Sequence, residues 1–157
     1  MNTIRNMFFL GLAAMWITPA WADDNPASKT DTTRLQGDWS MVSGSADGYA
    51  MPDAMRATAK RVCAGNETTV TVGGQILLKA KFTLDASRKP KTIDYEMTGG
   101  TTKGKTQLGI YELDGDTVKF CFAAPGSARP IEFTSKPGDQ RTLSVWKREK
   151  QAAPEAS

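Results

Sequence analysis

Residues 106–126, TQLGIYELDGDTVKFCFAAPG, set the tightest constraint on what this chain can become. Two runs rich in β-branched and aromatic residues flank Asp114-Gly115. That dipeptide favours a tight turn with positive φ, so the stretch reads as a β-hairpin. Val118, Phe120 and Phe122 alternate with Thr117, Lys119 and Cys121, which gives one strand an apolar face. Burying each Phe contributes about 1.5–3 kcal/mol. A slip of one residue would turn both rings outward, so the turn and the alternation specify the same pairing.

The same two-residue rhythm runs through most of the chain. LQGDWSMVSG (35–44) alternates Trp39 and Met41 with polar residues. Residues 46–62 break the rhythm, and Pro52 followed by Ala54, Met55, Ala57 and Ala59 predicts one short helix. Residues 61–74 read as two short strands around Gly65-Asn66, with Val70 and Val72 on one face. In 75–85, Ile76, Leu78, Ala80, Phe82 and Leu84 define a half-buried strand, and in 91–97 Ile93, Tyr95 and Met97 define another. A short strand is expected at 131–133. A closing strand at 141–150 should place Leu143 and Val145 on one face and Trp146 on the other. Eight or nine short strands at this spacing predict an all-β antiparallel sandwich or barrel. A barrel of about eight strands, with one short helix near the N-terminus, is favoured because closure removes both sheet edges.

The ends read differently. Residues 1–22 have the form of a secretory signal: Arg5, an apolar run over Met7–Ile17, and Ala20-Trp21-Ala22 before Asp23-Asp24. The apolar run is too short to span a membrane, so the mature chain is not expected to be membrane-spanning. Cleavage leaves 135 residues, typical of one domain, and removes one Arg, which brings the net charge from +3 to +2. That charge is spread along the chain and is no footprint for nucleic acid. Residues 23–33 are expected to be a disordered leader, 34–150 the barrel domain and 151–157 a disordered tail. The export signal implies a periplasmic or secreted protein.

Gly37-Asp38-Trp39 on the first strand, with Arg148 on the last, resembles the lipocalin pattern, in which the Trp packs under the barrel and the Arg covers it. Over about 34–150 the resemblance is wider. LQGDWSMVSGSADG, KFTLDASRKPKTID, KGKTQLGIYELDGDTVKFCFAAPGSARPIEF and SKPGDQRTLSVWKREK are similar to a bacterial domain family of unknown function, often met in planctomycete genomes and described as lipocalin-like. The resemblance implies a lipocalin-like barrel with Trp39 and Arg148 as structural residues, and it implies no catalytic residue. The chain departs from that pattern near Arg61-Val62-Cys63, where an aromatic residue is expected in place of Cys.

The residue inventory narrows the chemistry. The chain has no His, which removes Ser-His-Asp, Cys-His and His-based metal arrangements. Gly99–Thr106 matches G-x-x-x-x-G-K-T, yet phosphate cradling needs a helix to start at the Lys, and Gln107–Tyr111 with the nearby turn leave no room for one. No nucleotide is expected there. Asp114-Gly115-Asp116 lacks the calcium-loop spacing and is accounted for by the turn. Glu112 with Asp94 or Glu96 reads as outward-facing strand charge, with a carboxylate pair as the alternative. No metal and no cofactor are expected. Cys63 and Cys121 are an even pair in an oxidising compartment and a candidate disulfide outside the barrel, closing a loop of 58 residues for roughly 4 kcal/mol; the alternative is two unpaired thiols.

What remains is the aromatic set. It is either a filled core or the lining of a cup. On the cup reading some of the candidates Phe82, Tyr95, Tyr111, Phe120 and Phe122 line a site for a small apolar ligand, with Tyr95, Tyr111 or Arg129 as polar anchors; Arg129 either guards the barrel mouth or is a plain surface residue. The expectation is a non-enzymatic exported barrel that binds a small apolar ligand inside. The alternative is a solid-core periplasmic module that binds an unidentified protein.

Overall fold

A computed structural model describes residues 25–150. The expected signal segment and the tail at 151–157 lie outside the described residues. In chain order the elements are α1 (Pro26–Leu35), β1 (Gly37–Ala46), β2 (Tyr49–Ala50), α2 (Asp53–Thr58), β3 (Lys60–Ala64) and β4 (Glu67–Val72). They continue with β5 (Gln75–Asp85), β6 (Lys91–Gly100), β7 (Thr106–Asp114), β8 (Thr117–Phe122) and β9 (Thr142–Arg148). Every strand pair is antiparallel. The order is β2-β1-β3-β4-β5-β6-β7-β8-β9, and β1 pairs β9 as well. Eight strands therefore close into a barrel, and β2 is an extra strand on β1. The expected barrel is present.

Closure depends on how β1 bends. Its first four residues pair with β3, while Trp39–Ala46 pair with β9. The two stretches overlap at Trp39 and Ser40, and just past the overlap a bulge between Met41 and Ser43 turns Val42 out to solvent. Beyond it β1 leaves β3, and β2 with α2 covers the gap. Met41 donates its backbone N–H to Ala59 across it, and Met51 to Gly44. A second bulge, at Leu77 on β5, leaves both Ile76 and Leu77 exposed, so the expected alternation holds only from Leu78 onward.

The β7–β8 hairpin pairs Asp114 with Thr117. Its two-residue turn is therefore Gly115-Asp116, with Gly115 at φ +56°, one position later than the dipeptide that signalled it. Val118, Phe120 and Phe122 point inward as expected. On β9, Trp146 is inside with Ser144, and Leu143 and Val145 are only half-buried.

Two expectations are overturned. Residues 26–33 of the expected leader are helical, as part of α1, which continues to Leu35. Asn25 caps α1 by accepting from the Ala27 N–H at 2.9 Å, and Pro26 opens it. Ser28, Asp31 and Leu35, spaced three and four apart, face the barrel and are buried. The stripe is mostly polar, so it carries no hydrophobic signal. Residues 131–133 form no strand, and Ile131 is exposed. The segment after β8 instead packs on the outer wall over Ile110 and Cys121.

Candidate functional site

One end of the barrel is plugged by α1. Trp39 donates its indole N–H to Leu35 O at 2.9 Å, and the Arg148 guanidinium lies 4.3 Å from the Trp39 ring centre. Arg148 also donates to the carbonyls of Gln36, at 2.6 Å, and Arg34. The contact expected of Trp39 and Arg148 is present at this closed end. Beside it, Asp31 accepts from Lys91 Nζ and from the Tyr111 hydroxyl, both at 2.7 Å. Burial raises the Asp31 carboxyl, but the hydrogen bonds from Lys91 and Tyr111 and the charges of Lys91 and Arg34 outweigh it, so its pKa lies below the ordinary value. Burial and the adjacent carboxylate push the Tyr111 phenol up.

The middle is filled. Trp39, Phe82, Tyr95, Tyr111, Phe120 and Trp146 are all buried in one cluster. This corrects the cup reading for Phe82, Tyr111 and Phe120, which are core. Arg129 is corrected too. It lies on the outer wall, 2.7 Å from Asp94, and donates to the carbonyls of Ile93 and Gly109. It pins the segment after β8 and guards no mouth. A depression of about 530 Å³ lies on this wall. Two ion pairs line it, Arg129 with Asp94 and Arg88 with Asp85 at 3.2 Å.

Tyr95 and Phe122 reach the other end, and there the barrel has room. A space of about 90 Å³ enters the interior between Met41, Met51, Leu78, Gln107 and Phe122, with Arg61, Tyr95 and Trp146 deeper. A groove of about 270 Å³ adjoins it under β2 and α2, lined by Tyr49, Met55 and Leu143 among others. The two share Met41, Met51, Thr142 and Ser144.

Arg61 is the residue that sequence reasoning missed. Val62 looks like the inward residue of β3, yet it is exposed, while Arg61 and Cys63 are buried. The register explains why. Arg61 stands opposite Trp39 on β1 and Val70 on β4, and residues directly opposite in an antiparallel pair share a face. Its guanidinium lies 4.6 Å from the ring centres of both Phe120 and Trp146. Nη1 donates to Tyr95 Oη at 2.6 Å and to Thr68 Oγ1 at 3.0 Å. Nε is buried without a partner, and among the described residues no carboxylate pairs with Arg61. Burial pushes the Tyr95 phenol up despite the adjacent guanidinium, so it stays neutral and supplies no counter-charge.

The other candidates resolve simply. Thr106 opens β7, so the G-x-x-x-x-G-K-T segment is a β-turn connection with no helix start. Glu112 and Glu96 are exposed, and Asp94 is engaged by Arg129. No three metal-ligating side chains come together among the described residues. Cys63 and Cys121 are free and buried, so the candidate disulfide is not formed. Cys63 lies inside, near Thr68. Cys121 lies outside, its Sγ 3.4 Å from Thr134 O. Comparison with protein-family models, with curated proteins and with solved structures finds no match for this chain.

Proposed function

We propose that this chain is an exported, non-enzymatic binding module that takes one small amphipathic molecule at the open end of its barrel. The observation that carries the reading is the contrast between the two ends. One is plugged by α1 and a satisfied polar network. The other keeps an apolar groove of about 270 Å³ that joins a smaller interior space. The groove is slightly smaller than typical drug-sized pockets, so the fitting ligand is small. It rests against methionines, whose unbranched side chains adapt to what they cover. Export rests on the form of residues 1–22. The binding-only reading rests on the groups at hand: a guanidinium that keeps its proton and a phenol that keeps its own offer no general base.

The same rim exposes Tyr49, Met55, Ile76 and Leu77, and this favours the second reading, a docking face for another protein. Titration with a neutral naphthylamine fluorophore separates the two. The binding-module reading expects saturable one-to-one enhancement, weakened at least tenfold by Tyr49→Lys or Met55→Lys. Both residues are exposed, so these changes should move stability by only about 0.5 kcal/mol. Absence of saturable enhancement, or equal binding by both variants, overturns it.

A further inference from the structure

A buried guanidinium without a counter-charge is costly, because Arg cannot shed its proton to escape. Arg61 is 3 % exposed and stands at the inner limit of the open-end space. Its ring neighbours and two hydrogen bonds offset part of the cost. They engage only Nη1 and the flat faces of the group. The unused donors are on the Nε–Nη2 edge: Nε is buried without a partner, and Nη2 donates to no described residue. Two parallel N–H donors on one edge match the two oxygens of a carboxylate. The space that Arg61 lines, about 90 Å³, is roughly three times a water's share of liquid volume. That is the size of an acid head group and a carbon or two, while the rest of a short chain fits the adjoining groove.

Resting on the binding-module reading, we propose that the ligand is a short-chain carboxylic acid in its anionic form, its head group seated on Arg61 and its tail under β2 and α2. A neutral molecule of the same shape would leave the guanidinium unpaired and is discriminated against on that ground.

Calorimetric titration of the full chain with sodium octanoate and with 1-octanol tests this. Octanoate should bind at least tenfold tighter than octanol. In Arg61→Met, which keeps an unbranched side chain and removes the charge, octanoate affinity should fall to that of octanol. Should that variant fail to fold, the unaltered protein still decides: its Arg61 Nε–H proton resonance should shift with octanoate and stay in place with octanol. Equal affinity for the two ligands, or an Arg61 resonance unmoved at saturating octanoate, overturns the carboxylate assignment and leaves the binding module standing. Binding of neither ligand overturns the binding module, and this assignment with it.

Discussion

Two charged side chains are buried among the described residues, Asp31 at the closed end and Arg61 towards the open one. Asp31 is fully answered. A phenol and an ammonium donate to it, and Arg34 stands 3.3 Å away. Its pKa is lower folded than unfolded, so the folded protein holds fewer protons at this site. The stabilisation is then complete above the unfolded value of 3.8 and is lost as pH falls from there through the folded value. Asp31→Asn should cost about 1.5–3 kcal/mol at neutral pH. Urea unfolding of parent and variant should show that gap closing below about pH 4. A gap that stays constant into acid would mean that the carboxylate charge does not contribute. Among the described residues no carboxylate answers Arg61, and the proposed ligand rests on that asymmetry.

At the scale of the element, α1 matters most. It is short and polar, and by propensity it would be marginal alone. It holds because the barrel end supplies partners: Ser28 accepts from the Ala86 N–H, Gln36 bonds Gly65 in both directions, and Arg148 closes over the last turn. Arg148 links three elements at once, stacking on Trp39 of β1 while its own strand, β9, completes the barrel. Arg148→Ala removes two charge-assisted bonds to helix-end carbonyls and uncovers Trp39. The expected cost is about 2–3 kcal/mol, seen as a lower urea midpoint with an unchanged m-value. A variant as stable as the parent would show that α1 docks without it.

At the scale of the whole molecule, closure puts the two cysteines on opposite sides of the wall. β3 turns Cys63 inward with Arg61, and β8 turns Cys121 outward beneath the segment that ends near Thr134. Burial pushes the Cys121 thiol up, so it is protonated and unreactive at ordinary pH. Purified without reductant, the folded protein should react with no thiol reagent, and the denatured protein should react at two sites. Reductant should leave the unfolding midpoint in place. A chain 2 Da lighter by mass, with no reactive thiol when denatured, would overturn the placement of both residues.

The alternation in β5 through β8 and the glycine at the hairpin turn made the strands readable, because a strand's facing depends on its own neighbours in sequence. The barrel followed from their number and spacing. Three things depended on partners distant in the chain and were decided only by the tertiary structure. The polar helix α1 holds because the barrel end presents Lys91 and Tyr111 to its Asp31. Arg129 turns outward because Asp94 and two carbonyls await it there. Arg61 turns inward because Trp39 and Val70 stand opposite it, and register is a property of paired strands that no single strand records. Of these three, only the facing of Arg61 shapes the candidate site, because Arg61 lines the open-end space.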